Sequence, residues 1–113
     1  MVKCVAVITF AALLAGCRSN PSEKLAKLTE EFVYTTLSFS PSAATSAGLH
    51  EHQKRKLDDI LDDLSVASLD RQKKFYEDFQ ARLKALPADQ LTPEDRADLT
   101  ILDGQTSLAL LDL

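Results

Sequence analysis

The sequence predicts an all-α protein in which a cleaved signal helix precedes three to four amphipathic helices. Apolar residues recur at intervals of three and four along several stretches, which is the spacing of a helix with one buried face. Prolines stand at three candidate helix starts, where their missing N–H donor does no harm. Only three glycines occur among 113 residues, and there is no tryptophan. Composition and periodicity therefore favour helix packing as the basis of the fold.

The first 16 residues have the order of a secretory signal peptide. Lys3 supplies a positive charge, and the apolar run that follows extends to Leu14, interrupted only by Thr9. As a helix, residues 4–16 would cover about 20 Å, whereas the hydrocarbon core of a bilayer is roughly 30 Å thick. The run is too short for a membrane span, and we assign residues 1–16 to a signal peptide that is removed.

The signal ends in Leu14-Ala15-Gly16-Cys17, which resembles the lipobox of bacterial lipoproteins. In that class, a dedicated peptidase recognises the three residues before the cysteine and cuts between Gly16 and Cys17. The resemblance implies that the Cys17 thiol takes a diacylglyceryl group and that the new amine is acylated as well. At about 0.8 kcal/mol per buried methylene, two or more chains anchor a protein stably to membrane lipid. The alternative is an ordinary cleaved signal with a chance cysteine.

Lipid anchoring would place the protein in the bacterial cell envelope. Arg18 follows the cysteine, at a position where an aspartate typically marks retention at the inner membrane of Gram-negative cells. The resemblance therefore implies the outer membrane, facing the periplasm, if the cell is Gram-negative.

Cysteine usage and charge exclude several kinds of site. Cleavage would remove Cys4 and acylation would occupy Cys17, so the mature body would contain no free thiol for a disulfide, a zinc site or a nucleophile. The chain has 17 acidic and 13 basic side chains, a formal net charge of −4. This balance argues against a nucleic-acid partner, which binds a basic face.

Three short motifs predict where helices begin. Asn20 precedes Pro21 and Glu23 in the order of a capping box, in which the glutamate reaches back to the cap. Ser40-Pro41 and Thr92-Pro93-Glu94-Asp95 repeat the arrangement of an N-cap followed by proline. The predicted parts of the mature chain are a lipidated tether over residues 17–22 and a helical segment over residues 23–113.

The first helix is predicted to run from Pro21 to about Leu37. A second, from Pro41 to about Ala47, should end at Gly48, the residue type best suited to a left-handed cap. Residues 49–64 are predicted to form either a loop with a helical turn or a short exposed helix. The apolar stripe of the first helix is Leu25, Leu28, Phe32 and Val33.

Two long helices complete the prediction. Ser65 or Ser68 caps a helix that runs to about Leu86, where Pro87 ends it. The last helix begins at Pro93 and contains Gly104, whose cost of about 1 kcal/mol relative to alanine favours a close helix contact at that position. The apolar positions are Leu69, Tyr76, Phe79, Leu83 and Leu86 in the first of these helices, and Leu99, Ile101, Leu102, Leu108 and Leu110 in the second.

The last helix carries no stop signal. Leu108–Leu113 contain no glycine, asparagine or basic residue, and the apolar face continues to the final residue. We therefore expect an incomplete part of a larger helical fold, in which the Leu108–Leu113 surface contacts the remainder of a longer chain or an envelope protein.

Two motifs contain residue types that bind metals. His50-Glu51-His52 offers two imidazoles and a carboxylate, but a helical zinc site requires histidines four residues apart, so a surface loop is favoured. Asp58-Asp59-Ile60-Leu61-Asp62 matches the DDxxD pattern that binds magnesium when the three aspartates share a helical face. A solvated acidic face paired with Lys54-Arg55-Lys56 is favoured instead. We predict no metal, no cofactor and no catalytic residue in this chain.

The stretch Phe39–Leu102 resembles the N-terminal part of a bacterial family known as domain of unknown function 885. The resemblance implies an exported protein, often a lipoprotein, that is similar to zinc-dependent peptidases and carries its His-Glu…His motif in a later part. Nothing here matches that motif, so this segment would supply a helical wall of a larger cleft, which His50 and Glu51 would approach. The motifs that carry the resemblance are Ser40-Pro41, Ala44-Thr45, Gly48-Leu49-His50-Glu51, Asp62-Asp63-Leu64-Ser65 and Thr92-Pro93-Glu94-Asp95-Arg96-Ala97-Asp98.

Two functions remain open at this point. The first is a lipid-anchored helical N-terminal segment of an exported metallohydrolase-like or peptidase-like protein, without catalysis of its own. The second is a complete small envelope lipoprotein that acts as a helical protein-interaction module, docking a partner helix in a groove.

Overall fold

The computed structural model describes residues 20–113, which form four α-helices and one short hairpin. This confirms the all-α fold. The signal peptide, its recognition residues Leu14, Ala15 and Gly16, and the lipidation residue Cys17 lie outside the described residues. The elements are α1 (Pro21–Phe39), α2 (Pro41–Ser46), β1 (Glu51–His52), β2 (Arg55–Lys56), α3 (Val66–Lys84), a 3₁₀ turn (Ala88–Gln90) and α4 (Pro93–Asp112).

The three long helices begin with side-chain caps. The Asn20, Ser65 and Thr92 side chains each accept a hydrogen bond from a backbone N–H in the first turn, at 3.1, 3.2 and 3.1 Å. Ser65, rather than Ser68, is therefore the cap of α3. Each cap satisfies a donor that has no partner inside its helix, which typically contributes about 1 kcal/mol.

Two predicted caps are wrong in detail. Glu23 does not close a capping box, because its carboxylate pairs with Lys27 one turn later, at 2.8 Å. Ser40 precedes α2 but makes no side-chain cap bond; its hydroxyl donates to Asp62 instead. Helix α1 begins at Pro21, as predicted.

The core lies where α1, α3 and α4 meet. Phe79 is fully buried, and Leu83 and Leu25 are 1% and 2% exposed. Leu91, from the connection before α4, and Leu102 of α4 complete the cluster. Each such side chain contributes on the order of 1.5–3 kcal/mol through burial. The predicted core role of the Tyr76 and Phe79 pair is confirmed, because both are buried.

Aromatic rings extend this core along α1 and α3. The Phe32 and Phe79 ring centroids are 5.2 Å apart, and those of Phe75 and Phe79 are 5.6 Å apart. Phe39 meets Phe75 edge-on at 5.5 Å. Such contacts add about 0.5–1.5 kcal/mol beyond burial of area. The rings therefore fix the angle and register at which α1 lies on α3.

Several apolar positions are exposed, and for Val33 this differs from the prediction. Val33 is 44% exposed, so it does not belong to the buried stripe of α1. Ile101 and Leu108 of α4 are 60% and 56% exposed. Gly104 makes no close helix contact among residues 20–113, because a Cβ built there meets nothing within 4 Å.

We expect Phe79→Ala to destabilise the fold by about 3–5 kcal/mol, because it leaves a cavity where three helices meet. Val33→Ala is the matched control, and its effect should be far smaller, about 0.5 kcal/mol, because this side chain is 44% exposed and lies outside the core cluster. Urea unfolding followed by circular dichroism measures both. Equal losses in the two variants would contradict the placement of the core.

Candidate functional site

The histidine motif lies in a β-hairpin. β1 and β2 pair antiparallel, with Glu51 opposite Lys56 and His52 opposite Arg55. The predicted exposed helix over residues 49–64 is therefore wrong, and the alternative, a loop with a turn, describes residues 57–64 but not the hairpin before them. Opposite charges across a strand pair contribute a few tenths of a kcal/mol to 1 kcal/mol. The hairpin ends in Leu57, which is only 1% exposed and holds it against the rest of the fold.

The residues in the turn explain why the hairpin was not predicted from the sequence. Gln53 and Lys54 have φ values of 49° and 64°, so both central residues are left-handed, as in a type I′ turn. Such turns are normally signalled by Asn-Gly or Asp-Gly, because other residues are strained in this region. The hairpin therefore depends on Leu57 and on the contacts of its two histidines.

The two histidines have different partners. His50 Nδ1 lies 2.9 Å from a carboxylate oxygen of Asp58. The His52 ring stacks on Tyr34 of α1, with centroids 6.2 Å apart and planes inclined by 14°. His52 Nε2 is buried without a hydrogen-bond partner among residues 20–113. The two imidazoles thus serve separate contacts, one on the surface and one against α1.

The aspartate motif does not form a helix, so its carboxylates do not share a helical face. Residues 57–64 contain a turn and then an irregular segment. Asp58 accepts hydrogen bonds from the Thr45 hydroxyl, at 2.8 Å, and from His50. Asp62 accepts from the Ser42 backbone N–H at 3.0 Å. The hydroxyls of Ser40 and Ser42 both donate to its other oxygen, at 2.8 Å.

Asp62 therefore caps α2 from a distant part of the chain. It satisfies a first-turn donor that Ser40 leaves free, and Asp58 holds the other end of the same helix through Thr45. We call the contacts of these two aspartates with α2 and His50 the aspartate clasp. The clasp ties α2, the hairpin and the segment before α3 into one unit.

The predicted pairing of the acidic motif with Lys54-Arg55-Lys56 is not seen. No salt bridge joins the two groups within residues 20–113; Arg71 lies 3.5 Å from Asp63 instead. Within the same part of the chain, no group of three or more His, Cys, Asp or Glu side chains is arranged to hold a metal ion. Instead, the carboxylates of Asp58 and Asp62 accept hydrogen bonds from hydroxyl and N–H groups of the same chain.

The hydrogen bonds of the clasp shift the pKa of both aspartates. The Ser42 backbone N–H, then the hydroxyls of Ser42 and Ser40, hold the pKa of Asp62 below its ordinary range. The pKa of Asp58 is lowered first by His50 and then by Thr45, with a smaller effect of Lys56. A lowered pKa in the folded state means that ionisation stabilises the fold.

A groove of about 370 Å³ lies between α1 and α3. Two of its three cations, Arg82 and Lys27, are paired. Arg82 donates two hydrogen bonds to the Glu31 carboxylate, at 2.6 and 2.7 Å, which lowers the pKa of Glu31. Lys27 pairs with Glu23. The groove therefore offers no free anion-binding charge at these two positions, and the pair of Arg82 with Glu31 connects α3 with α1.

Comparison with known proteins identifies no relative: no family model, no curated protein and no solved structure matches the chain. The similarity to domain of unknown function 885 thus remains a prediction that rests on the motifs. Among residues 20–113, no helix has the length and apolar character needed to cross a membrane.

We expect Asp62→Ala to lower stability and to fray α2, because the Ser42 N–H loses its acceptor. The contribution of ionised Asp62 is present above about pH 3.9, the ordinary aspartate value in an unfolded chain. It is lost as the pH falls through the lower pKa of the folded state. Thermal unfolding over a pH series should therefore show a gap between parent and variant at neutral pH that closes in acid.

Asp59→Ala is the control for this test. Asp59 belongs to the same motif and is exposed, but it makes no hydrogen bond within residues 20–113. The Asp59→Ala variant should have the same melting temperature as the parent at every pH. A gap that is independent of pH, or equal in both variants, would contradict the role assigned to the clasp.

Proposed function

We propose that this chain is a lipid-anchored helical N-terminal segment of an exported metallohydrolase-like or peptidase-like protein. Anchoring occurs through acylated Cys17 in the cell envelope, at the periplasmic face of the outer membrane if the cell is Gram-negative. The segment acts as a wall of a larger site and contributes no catalytic residue, metal or cofactor of its own.

The observation that carries the anchoring is the lipobox itself and its short distance in sequence from the first helix. The lipobox ends at Cys17, and α1 begins at Pro21 with Asn20 as its cap. At about 3.5 Å per extended residue, this short connection keeps the body near the lipid surface. An acylated cysteine so close to a capped helix is consistent with a domain presented directly at a membrane.

The arrangement of the motif residues supports the family part of the proposal. Residues from four of the motifs that resemble domain of unknown function 885 lie in the aspartate clasp: Ser40, Thr45, His50 and Asp62. They form one hydrogen-bonded unit, which gives a physical reason for these residue types to occur together. His50 is exposed in this unit, so its side chain is accessible to a cleft that a later part of the protein would complete.

A second function is favoured by the exposed leucines near the end of α4. Leu111 is 82% exposed and Leu108 is 56% exposed. Large apolar side chains that are grouped in this way usually mark an interaction surface. A helical interaction module of the envelope, with no further catalytic part, would use the same surface. In the first function, the surface that covers these leucines belongs to the same polypeptide. In the second, it belongs to another protein.

Anchoring is tested by expressing the full chain in a bacterium and fractionating the cells. We expect the protein in the membrane fraction and a Cys17 peptide that carries diacylglyceryl and amide-linked acyl groups by mass spectrometry. Cys17→Ser should accumulate with its leader uncut, because no other side chain replaces the thiol nucleophile.

Cys4→Ser is the matched control for the lipidation test. This cysteine lies in the leader and should have no part in processing, so the variant should be cut and acylated like the parent. If Cys17→Ser is cut and fractionates like the parent, or if Cys17 is recovered without lipid, the anchoring proposal fails.

A further inference from the structure

Helix α4 has apolar residues on two opposite sides. At 3.6 residues per turn, Leu99, Leu102 and Thr106 lie on one side, which is packed against α3 and α1. The opposite side carries a second apolar row that nothing in residues 20–113 covers. Its large members, Ile101, Leu108 and Leu111, are 60%, 56% and 82% exposed. A surface helix needs only one apolar side, so the second side has no role in the fold described here.

The exposed row has the spacing of a coiled-coil seam. It is formed by Ala97, Ile101, Gly104, Leu108 and Leu111, at alternating intervals of four and three residues. This is the heptad pattern by which one helix packs along another. We call these five residues the outer seam.

Small residues in the outer seam would let a second helix approach closely. Gly104 lies in the middle of the seam, and a Cβ built there meets nothing within 4 Å. In the folded chain the glycine therefore has no packing role, although it costs about 1 kcal/mol relative to alanine in a helix interior. Space beside Gly104 is what an incoming side chain would fill.

The charges along the seam indicate the partner. One edge carries the carboxylates of Asp98 and Asp112, both exposed. The other edge carries Thr100 and Ser107 and lies towards α3, where the Ser107 hydroxyl accepts a hydrogen bond from Gln80 and Lys84 lines a groove with Thr100. Neither edge of α4 itself has a lysine or arginine, so the exposed edge is acidic. Edge residues select partners through opposite charge, so the complementary helix carries cations beside its apolar row.

The same charges disfavour two other occupants. A second copy in antiparallel orientation would bring Asp98 near the partner's acidic edge, and a parallel copy would offer hydroxyls but no cation. An anionic membrane surface attracts basic helix edges and repels acidic ones. A protein helix with a basic edge is thus the occupant that fits.

We propose that the outer seam docks an amphipathic helix with an apolar heptad row and a lysine- or arginine-bearing edge. This inference specifies the partner for the interaction role proposed above. It rests on that proposal in one respect, namely that the partner helix is present in the cell envelope. Docking uses α4 alone and does not require acylation of Cys17, so the two proposals can fail separately.

The test uses the full chain in phosphatidylcholine nanodiscs and a synthetic helical peptide of about three heptads. The peptide has Leu and Ala in its apolar row and Lys along its edges; a second peptide has Glu in place of Lys. We expect the Lys peptide to bind at least tenfold more tightly than the Glu peptide at low salt, with the difference shrinking as salt screens the charges. Equal binding of both peptides would overturn the charge argument.

Two variants locate the binding surface. Ile101→Ser combined with Leu108→Ser should weaken binding of the Lys peptide at least tenfold. Leu61→Ser combined with Leu64→Ser is the control, because these leucines are 87% and 79% exposed but lie outside α4. The control should bind like the parent, and equal losses in both pairs would contradict docking at the seam.

Gly104→Lys separates docking from folding. Lysine is a better helix former than glycine, and a side chain at this position meets no neighbour among residues 20–113, so the melting temperature should not fall. Binding of the Lys peptide should weaken at least tenfold, because an ammonium group then lies in the apolar row and repels the cationic edges of the peptide. Unchanged binding would contradict the proposal.

Self-association is measured on the same samples by analytical ultracentrifugation. Dimers that disappear in the Ile101→Ser, Leu108→Ser variant would identify a second copy as the occupant and overturn the choice of a basic helix. An intact lipid anchor together with failed peptide binding would remove this inference alone.

Discussion

Burial of Phe79 among α1, α3 and α4 is the contact on which the rest of the structure depends. This ring is fully buried and touches Phe32 and Phe75, so it sets how α1 lies along α3. Leu102 brings α4 to the same point. Because the described body contains no cysteine, its stability comes from such packing and from hydrogen bonds. The ion pair of Arg82 with Glu31 lies at the margin of the core. It orients α1 relative to α3 and adds little to the free energy of unfolding.

The aspartate clasp shows how a motif with metal-ligand chemistry can be used for structure. Carboxylates bind cations when several converge, but they also accept hydrogen bonds from helix N-termini and hydroxyls. Asp58 and Asp62 accept hydrogen bonds of this kind, each from a different set of donors. The consequence is a short helix, α2, that is held at both ends by residues remote from it in the chain. A helix of six residues could not persist alone, because nucleation is costly.

Helix α4 contributes both to the core and to the proposed interaction surface. Its inner side completes the core, and its outer side has the spacing of a helix-docking row. A helix that is apolar on both sides is expected inside a larger assembly. In both proposed functions, whether the covering helix belongs to the same polypeptide or to a partner, this outer side is the contacting surface.

The sequence alone predicted the helices and most of their limits. Proline after a capping residue marks a helix start through local sterics and one local hydrogen bond, so Pro21, Pro41 and Pro93 could be placed without tertiary information. The core positions Tyr76, Phe79, Leu83 and Leu102 followed from helical spacing, which depends only on the geometry of one helix.

Tertiary structure decided what local rules leave open. The hairpin at residues 51–56 has no turn signal, and it forms because Leu57 and His52 find contacts elsewhere. Val33 and Ile101 are as apolar as their buried neighbours, and only the arrangement of three helices determines which side of each helix is covered. The partners of Asp58 and Asp62 are distant in sequence, so their role depended on how the chain returns to α2. Periodicity identifies an apolar face, whereas only packing identifies what covers it.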